Sequence, residues 1–347
     1  MLRVMVVFGG RSREHEVSLA SARAILSTLE KSGNYDVYPV GITKEGRWLS
    51  SGDPLRELAS GKADGGSGLP APVSEKLPVN LGRADVVFPV LHGPYGEDGT
   101  IQGMLELAGI PYVGSGVLAS AASMDKVTMK KVFAYHGLPQ VEWVSLTRKE
   151  WEENHRQKVR EVESSLGYPC FVKPSNLGSS VGISKVYTPE ELEYAISFAA
   201  DLDRRIIVES AADAHEIEVA VLGNEAPKIS VPGEVLIGSH EFYDYEAKYT
   251  EGESEIQAPA DIPAAAAVEI NEIARTAFKA VDAAGMARID FFLERGTGRV
   301  LLNEINTIPG FTPTSVYARL WDTSGLPYGE LLDELVRLAI ERHEAKS

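Results

Sequence analysis

Cysteine is nearly missing from this chain: Cys170 is the only one among 347 residues. One thiol cannot form an internal bridge, so a disulfide-stapled fold is excluded and a reducing cytoplasm is the expected compartment. Cys170 stands beside Phe171 in an apolar run and reads as a small buried hydrophobe. Positive charge is also short. Lys and Arg total 34 against 50 Asp and Glu, a formal charge of −16. A field of that sign repels nucleic acid and anionic lipid, so neither is expected as a partner. An anionic ligand would need locally gathered cations or metal ions. No apolar run approaches the roughly 18 residues of a membrane span. The opening "MLRVMVVFGG" is expected to be a first strand rather than a secretion signal.

What is present is an ordinary globular composition, 44% hydrophobic and 24% charged, on a length that suits two or three domains. "RVMVVFGG" is a continuous apolar run, the mark of a strand buried on both faces. Val17, Leu19, Ala20, Ala22, Ala24 and Leu26 follow at helical spacing, with Gly33 as a stop. "YDVYPVGITKEGRWL" predicts a second strand and a turn into a third. Residues 51–80, rich in Gly, Pro, Ser and Ala, read mostly as a surface insertion. "ADVVFPVLHG" predicts a strand, "TIQGMLELAG" a helix ending at Gly109, and "IPYVGSG" a short edge strand.

From about residue 122 the pattern changes. "SMDKVTMKKVFAYHGLP" predicts a helix capped by Ser123 and stopped at Gly137. "YPCFVKPS", "VGISKVY", "RRIIVES" and "EIEVAVLG" predict strands pairing antiparallel. Between them, "TPEELEYAISFAADLD" is a helix with Thr188 as cap and Pro189 at its first position. The last third holds a strand "KISVPGEVLI", an aromatic loop with Tyr243, Tyr245 and Tyr249, a helix over 263–284, and a hairpin turning at 296–298. The expected division is a parallel-sheet α/β domain over 1–121, then two α+β units over 122–212 and 213–347.

Two stretches carry chemistry. In "ARIDFFLE", Arg288 and Asp290 share one strand face; in "RVLLNEIN", Glu304 and Asn306 share one. A hairpin could bring all four together. Hard oxygen donors without thiol or imidazole favour Mg²⁺ or Mn²⁺ over zinc. The pattern alone is equally that of a solvated sheet face. The other stretch is "FVKPSNLGSSVGISKV". Lys173 stands at a strand end, before a loop whose Gly178 and Gly182 let backbone approach an anion and whose Ser179 and Ser180 donate hydrogen bonds. The lysine precedes the glycines, so a P-loop is not indicated, and a plain Gly/Ser hairpin loop would look the same. Lys126 and Lys248 could join that charge, whereas Lys185 is expected in solvent.

The ordered set "FGGRSREHEVS", "LHGPYGEDGTIQG", "GSGVLASAASMDK", "KPSNLGSSVG", "EFYDYEAKY", "ARIDFF" and "LNEINTIPGFT" resembles the D-alanine–D-alanine ligases of the ATP-grasp superfamily over nearly the whole chain. The resemblance implies an ATP-grasp fold with ATP between the central and C-terminal domains. It implies that Lys126, Lys173, Ser179, Ser180, Lys248 and Asn303 meet the nucleotide, and that Glu209 and Glu216 hold adenine and ribose. By the same likeness Asp290, Glu304 and Asn306 bind two Mg²⁺ or Mn²⁺. Glu16 and His92 would hold the amino end of the first D-alanine. Arg288 and the backbone of Gly310 would meet the oxyanion, and Ser315 the second carboxylate. Ser179 and Tyr249 would link the loops 175–182 and 240–252 over the site. Many members carry lysine where Ser210 stands here, so the chain departs from the pattern beside Glu209.

A ligation of this kind runs through an acyl phosphate, because a carboxylate alone offers only oxide as leaving group, and such an intermediate needs a lid against water. In the resembled family a tyrosine at position 249 goes with dipeptide formation. The expected partners are therefore D-alanine and ATP, with a homodimer as the candidate assembly and the product serving cell-wall synthesis. The competing expectations are a relative that uses D-lactate or D-serine second, and a nucleotide-binding regulator without catalysis.

Overall fold

β1 (Leu2–Gly9) is fully buried from Val4 to Phe8. It lies between two parallel neighbours, β2 (Tyr35–Ile42) and β5 (Val86–Val90), which is why its sequence does not alternate. α1 (His15–Ser32) connects β1 to β2 and ends where Gly33 adopts a left-handed conformation. β3 (Trp48–Leu49) and β4 (Val73–Ser74) add antiparallel to complete a sheet in the order β4-β3-β2-β1-β5. The computed structural model describes residues 1–61, 73–74, 81–237 and 254–346. Within the expected insertion, Asp53 caps α2 (Pro54–Ala59), whose Leu58 packs into the core against β2. α3 (Thr100–Ala108) stops at Gly109 as expected. The expected edge strand after it is only a single bridge, Tyr112 to Val87.

The helix expected over 123–137 is two helices. α4 (Val117–Met124) contains Ser123, and α5 (Lys126–Tyr135) begins after Asp125. Asp125 is the cap, accepting from the backbone N–H of Thr128 at 2.7 Å. Its extended backbone breaks the chain between the helices, so Ser123 inside α4 cannot serve.

The second sheet is wholly antiparallel, in the order β6 (Trp143–Thr147), β9 (Arg205–Ser210), β7 (Cys170–Pro174), β8 (Ser184–Val186). Its core lies under α6 (Arg148–Ser165) and α7 (Pro189–Leu202). α7 carries the expected Thr188 cap. Sequence reasoning passed over α6 because its exposed face is almost all charge. Its signal was the capping box of Thr147 and Glu150.

The third sheet runs β13 (Ser254–Gln257), β12 (Gly233–Ile237), β10 (Ala214–Gly223), β14 (Gly285–Glu294), β15 (Val300–Asn306), with β11 (Lys228–Ile229) paired to β10. The single strand expected over 228–237 is therefore split between β11 and β12, around Pro232. α8 (Ala264–Ala280) covers this sheet, and Met129 and Phe133 of α5 share its core. α9 (Val316–Thr323) and α10 (Tyr328–Glu344) return to the start of the chain. Leu331, Leu335 and Val336 pack in one core with Val4, Phe8 and Ile25. No helix among the described residues is long and apolar enough to cross a membrane.

Candidate active site

The three sheets meet around a cleft of about 1460 Å³. Its floor is the strand pair predicted from the sequence. In the β14–β15 register Arg288 stands opposite Asn306, and Asp290 opposite Glu304. All four side chains reach the cleft. Arg288 grips Asp290 with two bonds, Nε to Oδ1 at 2.8 Å and Nη2 to Oδ2 at 2.7 Å. Asn306 donates to the same carboxylate at 3.1 Å. On the other side of β14, β10 places Glu218 opposite Asp290, and Arg288 Nε lies 3.1 Å from its carboxylate. Sequence reasoning missed Glu218. Its signal was the alternation of Glu216 and Glu218 against Ile217 and Val219, which turns both acids to one face.

The described residues hold no group of three or more His, Cys, Asp and Glu arranged for a metal. Two carboxylates and an amide on one strand pair are still the donor set of a magnesium site, because Mg²⁺ uses one or two protein carboxylates and takes further oxygens from phosphate and water. The residues present fit such an ion.

The second sheet supplies the cations. Lys173, at the end of β7, donates to Glu209 of β9 at 2.7 Å. Lys126 opens α5, donates to the Leu177 carbonyl at 2.9 Å, and reaches across the cleft to 3.8 Å from Glu304. Lysine-bearing and carboxylate-bearing segments far apart in sequence therefore converge. Glu209 is buried, and burial would raise its carboxyl, but Lys130 and Lys173 hold it below the ordinary 4.5. Lys185, expected in solvent, instead lines the cleft over the rings of Phe171 and Tyr187. Glu216 and Asn303 also line the cleft.

The glycine-serine loop is held in an unusual shape. Ser179 and Ser180 both have left-handed backbone, φ 47° and 56°, which costs energy in non-glycine residues and concentrates at functional loops. Gly182 has φ 77°, and a Cβ there would come within 2.6 Å of Leu202 and 2.8 Å of Pro174. The Ser179 hydroxyl donates to Glu14. The carboxylate expected at this end of the site was Glu16. Glu16 lines the outer cleft, but its side chain is 70% exposed and pairs with Lys44 at 2.9 Å. The chain tightens at Gly9, where a Cβ would lie 2.2 Å from the Ile42 carbonyl. That turn delivers Glu14, just ahead of α1, to the loop. The two glutamates flank His15 in sequence, and no residue pattern separates them.

His92 is buried at the end of β5. Its Nδ1 contacts the Ile308 carbonyl at 3.0 Å and lies 3.7 Å from Glu97, while its Nε2 is buried with no hydrogen-bond partner. Burial would lower its pKa, but Glu97, Glu14 and the Ile308 carbonyl raise it above the ordinary histidine value. Glu97 was also missed by sequence reasoning. Beyond Ile308, Gly310 and Ser315 line the cleft, and Ser315 Oγ accepts from the Thr312 N–H at 3.0 Å. Lys248 and Tyr249, with Tyr243 and Tyr245, lie outside the described residues.

Comparison with known proteins decides what this arrangement belongs to. The model of the D-ala D-ala ligase N-terminus matches residues 3–115, and that of the C-terminus residues 132–337. The chain belongs to the D-alanine–D-alanine ligase family. A member from Deinococcus radiodurans is 50% identical, covering 98% of each chain. One from Bacillus cytotoxicus is 48% identical, covering 99% of this chain and 97% of its own. Among solved structures, the D-alanine–D-alanine ligase from Coxiella burnetii superposes with a TM-score of 0.82 at 37% identity, covering 99% and 95% of the two chains. A D-Ala:D-Ser ligase from Enterococcus faecalis reaches 0.84 at 37%, covering 97% and 99%. Like these D-alanine–D-alanine ligase relatives, the chain is a ligase enzyme with the ATP-grasp fold.

Proposed function

We propose that the chain joins two D-alanine molecules at the expense of ATP, in a cleft bounded by units 1–121, 122–212 and 213–347, to supply cell-wall synthesis. The observation that carries this is the meeting of Lys126 with Glu304, 3.8 Å apart across the cleft. It sets phosphate-binding cations against metal-binding acids.

In the proposed sequence, a carboxylate oxygen of the first D-alanine attacks the γ-phosphorus of ATP and ADP leaves. The amine of the second D-alanine attacks the acyl phosphate, phosphate departs with its electron pair, and the new amide nitrogen loses a proton. Lys126 and Lys173 meet the phosphates and stabilise the charge in transit, with Ser179, Ser180, Lys248 and Asn303 as further nucleotide contacts. Glu209 and Glu216 take adenine and ribose. Asp290, Glu304 and Asn306 would hold Mg²⁺ or Mn²⁺, two ions per site, whose charge when bound offsets that of the phosphoryl group. Glu14, in place of Glu16, holds the first amino group, because Glu14 is the carboxylate that reaches Ser179. His92 lies beside it, its ring fixed by the Ile308 carbonyl. Arg288, anchored by Asp290 and Glu218, and the Gly310 backbone stabilise the oxyanion, and Ser315 binds the second carboxylate. Ser179 joins Tyr249 in closing the site. The D-alanine–D-alanine names of relatives at 47–50% identity support D-alanine as the second substrate too.

Purified protein with ATP and Mg²⁺ should release phosphate with D-alanine and not with L-alanine. In the same assay Arg288→Lys should keep ATP affinity and lose about 100- to 1000-fold in turnover, the cost of one oxyanion donor. Release driven equally by L-alanine would sink the substrate assignment. Full turnover of the variant would remove Arg288 from the chemistry.

A further inference from the structure

Among the described residues Lys130 is the most deeply buried cation near the cleft. Its side chain is 1% exposed, and among the described residues its ammonium finds no hydrogen-bond partner. One carboxylate faces it: Glu209 Oε1, 3.4 Å away. That oxygen has no hydrogen-bond partner either, while Oε2 accepts from Lys173. Glu209 and Lys173 line the cleft; Lys130 lies behind them on α5, which packs against β9. A buried ammonium with a single, loosely placed carboxylate is costly, and a methionine would fill the volume without that cost. The charge therefore needs a use.

The arrangement of Lys173 presents the problem that Lys130 solves. If Lys173 is to turn its donors and charge to nucleotide phosphates, its hold on Glu209 must weaken. Were Lys173 the sole counterion, its departure would leave a buried carboxylate uncompensated, which is strongly unfavourable. We propose that Lys130 is a positioning residue for nucleotide binding: it stays on Glu209 and balances that carboxylate, so that Lys173 can turn to the phosphates. The inference rests on the nucleotide reading above. It assigns Lys130 no contact with the nucleotide and no part in the chemistry.

The test is calorimetric binding of ADP with Mg²⁺ and, separately, of adenosine, which has no phosphate for Lys173. In Lys130→Met, ADP affinity should fall about tenfold or more while adenosine affinity changes by less than about twofold, because only the phosphate contact depends on releasing Lys173. In a Glu209→Gln background the carboxylate charge is gone. There Lys130→Met should cost less than about twofold for ADP. Equal losses for ADP and adenosine would mean a collapsed pocket and would overturn the proposal. So would a tenfold loss that persists in the Glu209→Gln background, or unchanged ADP binding in the single variant. Should Lys130→Met fail to fold, Glu209→Gln alone decides. Freed of its carboxylate, Lys173 should raise ADP affinity relative to adenosine, and a relative fall would overturn the proposal. If the unmodified protein binds no ADP, the nucleotide reading fails first and takes this inference with it.

Discussion

At the scale of single residues, the site is a set of charges that would be expensive alone and are tolerable together. Glu209 shows this most clearly. Burial disfavours its ionised form, but Lys130 and Lys173 outweigh that penalty and hold its carboxyl below the ordinary glutamate value. A depressed carboxyl contributes stability above the unfolded-state pKa and loses it as pH falls through the folded value. The urea midpoint of the unmodified protein should therefore drop on acidification below about pH 4.5. Glu209→Gln, with nothing to protonate there, should show a shallower acid limb. Parallel acid limbs would mean that Glu209 is not held by its lysines. The same scale explains why Glu14, rather than Glu16, meets the Ser179 hydroxyl. Only Glu16 was singled out from the sequence, and the turn at Gly9 brings Glu14 to the loop.

At the scale of elements, α5 ties the lysines to the loop. Asp125 accepts from the Thr128 N–H and from Arg205, each at 2.7 Å, and the Lys126 N–H donates to the Ser175 carbonyl at 3.0 Å. Cap, arginine and loop are thus one joint, and both Lys126 and Lys130 ride on the helix it starts. Asp125→Ala should cost about 1–2 kcal/mol for the cap, plus an added penalty for the part-buried arginine it leaves unpaired. Asp125→Asn keeps the cap acceptor and should lose less than half as much in urea denaturation. Similar losses in both would place the stabilisation in the Arg205 pair alone. The hairpin was the most legible element, because a period of two assigns faces along each strand, although the pairing slips by one residue after Asp290. α6 and the split of α4 from α5 were not, since local charge and one extended residue obscured them.

At the scale of the molecule, the end of the chain completes the core begun by its first strand. Leu331, Leu332, Leu335 and Val336 of α10 are buried with Val4, Phe8 and Phe88. Each such side chain is worth about 1.5–3 kcal/mol on burial. Four of them match the roughly 5–15 kcal/mol that holds a domain folded. A chain ending before Tyr328 should fail to fold its first sheet, seen as lost ellipticity and aggregation. A cooperative thermal transition near that of the intact protein would contradict this. His92 makes a second link of the same kind, from the end of β5 to the carbonyl of Ile308 just beyond β15.

The sequence by itself placed the candidates: polar oxygen-bearing side chains on one hairpin face, a lysine ahead of a glycine-serine loop, a fold of alternating strands and helices, and the family that their order resembles. These properties are written in nearest-neighbour spacing, which strand and helix periods turn directly into faces. Only the tertiary structure decided which charges touch. It put Lys130 behind Glu209, Glu218 beside Arg288, and Glu14 against Ser179. Those distances depend on how elements far apart in the chain pack together, and no local period carries that information.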